Sequence, residues 1–188
     1  MRWTQKLMCE VACEEREALG LGSFDQLDPY ELADAHGIRV YTLTELLDWN
    51  LSTEGHTHFY AARSGSWSAA LVPLGTARVI VENDGHALVR RRSSIAHEMG
   101  HHLLEHSFDS VILGEDHKRQ FDKAQEKQAG FMAGELLVPQ EAARKAAYSK
   151  WSNTQVASAY GVSEQFAQMQ MRGARVIADR ASMKYGFR

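Results

Sequence analysis

Apolar positions in the first twenty residues recur with helical spacing, at Trp3, Leu7, Met8, Val11, Ala12 and Leu19. A second helix start follows at Asp28-Pro29-Tyr30-Glu31. There the aspartate can cap, proline suits the first helical position, and Gly37 supplies a left-handed stop after His36. Residues 38–43 alternate as a strand, Thr44 opens a short helical turn through Trp49, and residues 50–56 form a polar loop. Strands are predicted over 57–62, 68–72 and 78–82, with Asn83-Asp84-Gly85 as a turn. Helical patterning then dominates. Ile95, Ala96, Met99, Leu103 and Leu104 mark one helix, for which Ser93 or Ser94 is the predicted N-cap. Residues 121–137 mark another, free of proline until Pro139. Residues 153–176 read as two helices about Gly161, the second capped by Ser163 with Phe166, Met169, Gly173 and Val176 inward. Strands followed by helices imply an α+β fold, with a small mixed or antiparallel sheet packed on a helix pair. We divide the chain into a domain over residues 1–140 and a helical tail over 141–188 packed on the same domain.

The chemistry-bearing pattern is His97-Glu98-Met99-Gly100-His101. Residues four apart share a helix face, so both imidazoles can reach one metal ion. Glu98, one step round the helix, can face water beside that ion without ligating it. A bound divalent cation brings the pKa of water to about 7, and a carboxylate can take the proton as the water attacks a carbonyl carbon. The pattern therefore predicts metal-assisted peptide hydrolysis with Glu98 as the catalytic base. The bland alternative is an amphipathic helix with two surface histidines, and the apolar residues around the motif weigh against it.

Catalytic zinc usually takes three protein ligands. The spacing that would supply a third histidine from the same segment fails, because Leu104 and Ser107 stand at the required glycine and histidine positions. His102 points about 140° away from His97 around the helix, and His106 also lies on another face; both read as supporting or surface residues. A carboxylate on the helix over 121–137 is the remaining route. Its small residues Ala124, Ala129, Gly130, Ala133 and Gly134 would let two helices approach closely. Glu126 and Glu135 point in opposite directions. The pattern slightly favours Glu126, which shares a face with Ala129, Gly130 and Ala133, and Glu135 reads as a solvated residue near the helix end.

The stretches HEMGHHLLEH and EKQAGFMAGELLVP resemble the ImmA/IrrE family of zinc metallopeptidases, which carry His-Glu-x-x-His and then Glu-x-x-Ala-Asn-x-Phe-Ala-x-x-Leu-Leu-Met-Pro. The likeness runs from about Asp28 to Pro139 and takes in DPYELADAHGIRVY and VIVENDGHALVRRRSSIAHEMGH. It implies a zincin-like helix pair, zinc held by His97, His101 and Glu126, and Glu98 as general base. It further implies a protein substrate, often a repressor or related regulator, cut at a restricted site. One departure stands out. Gly130 replaces the family's usual Asn or Asp, whose side chain could orient a histidine ligand. Gln128 or an ordered water is the candidate substitute. For stabilising the oxyanion, Tyr60, His58 and His106 are the candidates, and residues 79–82 are the candidate edge strand for pairing with an extended peptide.

Composition narrows the remaining classes. With 44% hydrophobic and 24% charged residues, the 188-residue chain is of ordinary globular type. No apolar run approaches the roughly 20 residues of a membrane span. Acidic residues occupy the place of a signal peptide's apolar core, so the expected location is cytoplasmic. Cys9 and Cys13 read as free thiols of a reducing compartment. A net charge of −3 gives no general attraction to nucleic acid. Cations do gather in the tail, whose two helices resemble a helix-turn-helix. A helix pair packed on the domain is the preferred reading, and DNA contact is the lesser one. Arg90-Arg91-Arg92 reads as a solvated loop. The alternative to a peptidase is a non-catalytic, metal-containing regulator that binds DNA or protein.

Overall fold

A computed structural model describes residues 3–62, 65, 67–106 and 123–185. It is α+β: eight helices among the described residues and one three-stranded mixed sheet. Helix α1 (Gln5–Ala18) starts where the Thr4 hydroxyl accepts from Leu7 N, and it buries Met8, Ala12 and Arg16 on one stripe. The Arg16 guanidinium donates to the carbonyls of Gly22, Asp25 and Leu136, which ties α1 to a residue 120 positions further along the chain. Helix α2 (Pro29–Ala35) has its expected cap, with Asp28 accepting from Tyr30 N at 3.1 Å. Gly37 takes φ +67° and turns the chain into strand β1 (Arg39–Thr42).

Strands β2 (Ala69–Leu74) and β3 (Ala77–Glu82) form an antiparallel hairpin, and β1 joins β3 in parallel. The order β1-β3-β2 makes β3 the central strand. Residues 79–82 are therefore not an edge, and the strand bordering the site is β2. No strand forms at 57–62. The Ser52 hydroxyl caps a short helix α3 (Thr53–Thr57) by accepting from Gly55 N, and a wider, π-type turn (His58–Ala62) continues it. Phe59 and Tyr60 stay well exposed there. Local capping outweighs a weak two-residue alternation.

Helix α4 (Leu88–Leu103) begins earlier than its serines suggested. Ala87 stands at the N-cap, and the Ser93 and Ser94 hydroxyls donate back to the Arg90 carbonyl inside the helix. The arginine run is consequently helical, and two of its members anchor the helix. Arg91 pairs with the buried Glu82 carboxylate at 2.5 Å, which also accepts from the Tyr30 hydroxyl at 2.8 Å. Arg92 donates to the carbonyls of Leu27 at 2.6 Å and Gly161 at 3.0 Å. A guanidinium with several fixed donors can satisfy such carbonyls while buried, which residue-type counting reads as solvated charge.

Helix α5 (Lys123–Leu137) lies along α4, and residues 121–122 of the predicted helix fall outside the described residues. Their close approach is built at Gly100. A Cβ there would stand 2.8 Å from the Ala129 carbonyl oxygen and 3.1 Å from its Cα. Helices α6 (Gln140–Tyr148), α7 (Asn153–Tyr160) and α8 (Glu164–Tyr185) follow. Gly161, at φ +61°, makes the turn between the last two, and Phe166 N donates to the Ser163 hydroxyl as the cap requires. The buried stripe of α8 is Ala167, Met171, Ala174 and Ala178, whereas Met169 and Val176 are exposed. Alanine at three of these four positions lets α8 pack closely; of the residues that suggested an inward face, Phe166 packs partly buried against the core, whereas Met169, Gly173 and Val176 are exposed. One continuous core runs from Met8 through α4 and α5 to Ala178. No helix is long and apolar enough to cross a membrane among the described residues.

Candidate metal centre

His97 and His101 stand one turn apart on α4, and Glu126 reaches them from the first turn of α5. Their Nε2 atoms are 3.2 Å apart. His97 Nε2 is 3.2 Å from Glu126 Oε2, and His101 Nε2 is 3.4 Å from Glu126 Oε1. Zinc–ligand bonds of about 2.0–2.1 Å in a tetrahedral site put neighbouring donors about 3.3–3.4 Å apart. The three side chains already hold that spacing, and their chemistry, two imidazoles and a carboxylate, suits a borderline divalent ion. Among the described residues they form the one His/Cys/Asp/Glu group close enough to hold a metal. His101 is buried, while His97 and Glu126 are about one-third exposed, so the cluster opens to solvent on one side.

Behind His101 lies a second histidine. His106 is buried, with Nδ1 3.0 Å from His101 Nδ1 and Nε2 3.0 Å from Gln128 Oε1. Proton placement follows from the acceptors. The amide oxygen of Gln128 only accepts, so His106 carries its proton on Nε2. His106 Nδ1 must then accept, and His101 donates from Nδ1. That tautomer directs the His101 Nε2 lone pair at His97 and Glu126. Gln128 thus takes part in orienting a histidine of the cluster, by way of His106 and not by direct contact. At Gly130 a Cβ would meet nothing within 4 Å.

Glu98 turns toward the sheet. Its Oε2 accepts from the backbone N–H of Leu71 on β2 at 2.9 Å. Leu71 pairs with Ile80 across the hairpin, yet its N–H points outward, because β2 is the sheet's edge on this side. Sequence patterning offered no signal for this contact, since any residue supplies an N–H. A cavity of about 330 Å³ adjoins His97 and Glu98, lined by Ser68, Ala69 and Gly130 among others.

The other candidates lie elsewhere. His102 Nδ1 accepts from Arg78 at 2.9 Å, and its ring stands edge-on to His36. Its burial, with Arg78 next in importance, holds the imidazole below its ordinary pKa. Glu135 is buried and not solvated, its carboxylate accepting from Gln140 N at 3.2 Å. Burial raises its pKa despite that hydrogen bond. The chain turns at Val138 and Pro139 straight into α6, whose first residue, Gln140, covers the end that looked open. Cys9, near Glu135, has its thiol pushed up to about 11, chiefly by burial. Tyr60 stacks on His56 and His58 stands edge-on to Phe59, away from any described contact with the histidine–glutamate cluster.

Comparison with known proteins adds one match. A family model described as the IrrE N-terminal-like domain, Peptidase M78, matches residues 33–172. No curated protein and no solved structure matches the chain.

Proposed function

Since the chain belongs to the IrrE N-terminal-like domain family, Peptidase M78, a metallopeptidase-type family, we propose that it is a zinc endopeptidase acting on a protein partner. The resemblance described above makes a repressor or related regulator the expected partner. His97, His101 and Glu126 would hold the ion. When bound there, zinc acidifies water and polarises a carbonyl group. Glu98 takes the proton of the attacking water and returns it to the leaving amine, which is general base and then general acid catalysis by one carboxylate. The Leu71 N–H holds one Glu98 oxygen and so sets the orientation of the other. Apart from the Leu71 N–H, which Glu98 occupies, the outward edge of β2 offers backbone groups for pairing with an extended polypeptide. The Gln128–His106 relay keeps His101 in the ligating tautomer.

The observation that carries this reading is the tetrahedral spacing of three donors on two helices, beside a glutamate that is not one of them. A merely structural metal site has no use for that glutamate, which weighs against a non-catalytic, DNA- or protein-binding regulator. The test is Glu98→Gln. The purified variant should retain wild-type zinc content, while a co-expressed partner regulator should be cut by the wild type and left whole by the variant. Identical fragments from both would sink the reading. A cytoplasmic setting agrees with two free cysteines and is part of the proposal.

A further inference from the structure

The cavity beside His97 and Glu98 has a chemical character of its own. Its floor is small: Ala69 on β2, with Gly130 and Ala133 one turn apart on α5. Its outer wall is Phe166 and Met169 at the start of α8. Helix α8 is held at that place by close packing, for a Cβ on Gly134 would run into the Gln170 side chain. Three hydroxyls also line the space, and each already has a partner. Ser93 and Ser94 donate to the Arg90 carbonyl, and Ser68 accepts from the Arg90 guanidinium at 2.9 Å. Apart from His97 and Glu98, no described lining residue is charged. The volume, about 330 Å³, is at the small end for a ligand pocket.

We infer that this cavity is a side-chain specificity pocket, taking a large apolar residue of the substrate (leucine, methionine or phenylalanine) next to the scissile bond, with Gly130 as floor and Phe166 and Met169 as wall. The inference rests on the peptidase reading above. Gly130 has its physical reason here. A polar side chain at that position would project into the space that is open above the glycine. An acidic substrate residue would lose its hydration and meet the Glu98 carboxylate and two hydroxyls, Ser93 and Ser94, whose single protons are already donated to the Arg90 carbonyl, so the pocket rejects it. The thioether of Met169, more than half exposed, is an adaptable wall that can close over side chains of different shape. The C-terminal helices thereby become part of the recognition machinery.

The test uses the zinc-loaded full chain and four N-acetylated hydroxamates carrying leucine, phenylalanine, alanine and aspartate side chains, with affinities from calorimetry. The leucine and phenylalanine compounds should bind about 10–200-fold more tightly than the alanine compound, and the aspartate compound more weakly still. Gly130→Leu, which fills the floor, and separately Phe166→Ala, which removes the wall, should each bring the leucine-to-alanine ratio toward one with zinc affinity unchanged. A readout independent of metal comes from methyl NMR. N-acetyl-leucinamide should shift the Ala69, Ala133 and Met169 methyl signals, and the aspartate analogue should not. Equal wild-type affinities, or a ratio untouched in both variants, overturn the pocket. A protein that cleaves its partner without this preference overturns the pocket alone. A preference without cleavage overturns the peptidase reading alone.

Discussion

Replacing Gly100 with alanine tests whether the separation of two helices sets the geometry of the candidate metal centre. The added Cβ would stand 2.8 Å from the Ala129 carbonyl oxygen, 3.1 Å from its Cα and 3.3 Å from its carbonyl carbon. All three are backbone atoms, so no side chain can swing aside. Restoring ordinary contact near 3.4 Å requires α5 to retreat by about 0.6 Å, the kind of overpacking that costs about 1–3 kcal/mol. Alanine returns up to about 1 kcal/mol of helix propensity, leaving a net loss of about 0–2 kcal/mol. At about 2–4 °C per kcal/mol for a chain of this size, the metal-free protein should melt up to about 8 °C lower. Glu126 is one turn before Ala129, so the displacement carries through to its carboxylate. Ligand distances tolerate only about 0.2 Å, and zinc affinity should fall at least about tenfold. The assay is chelator competition for affinity together with thermal unfolding of the metal-free protein. Gly130→Ala is the contrasting variant: with nothing within 4 Å of its Cβ, it should gain up to about 1 kcal/mol and bind zinc normally. A Gly100→Ala protein with wild-type zinc affinity would refute the argument that the glycine sets the ligand spacing.

Two other predictions concern groups near the centre and behind it. His106→Phe keeps the ring volume but breaks the relay to His101, so zinc affinity should drop about 10–100-fold; Gln128→Glu, which still accepts from His106, should retain it. Equal affinity in all three proteins, again by chelator competition, would show that His106 only fills space. Glu135 is the pH-sensitive position in the core, since burial raises its pKa in the folded state. The folded protein therefore holds this proton to higher pH than the unfolded chain, and stability is lost as pH rises from the unfolded pKa through the folded one. Glu135→Gln should raise the melting temperature at pH 8 and give no gain at acid pH, below the range where the unfolded carboxylate titrates. A gain independent of pH would mean that packing, not charge, is responsible.

Local chemistry made much of the molecule legible in the sequence. Caps at Asp28 and Ser163 and stops at Gly37 and Gly161 act over three or four residues, so residue type alone specifies them. The same holds for the His-x-x-x-His spacing, because helix geometry fixes which side chains share a face. Glu126 could be ranked above Glu135 on helix phase, although the burial of Glu135 depends on α6 folding back and was not legible. What tertiary structure decided involves backbone atoms and partners distant in sequence. Only the strand order makes β2 the edge and places the Leu71 N–H on Glu98, 27 residues away. Only packing shows that Arg91 and Arg92 serve buried acceptors, or that Gly100 is where α4 and α5 touch. The phase of α8 is of the same kind. Its alanines face the core because helix approach rewards small residues there, which leaves Phe166 and Met169 to border the cleft beside His97 and Glu98. Sequence spacing determined which groups can share a metal, and the packing of α4, α5, α8 and β2 decided what surrounds them.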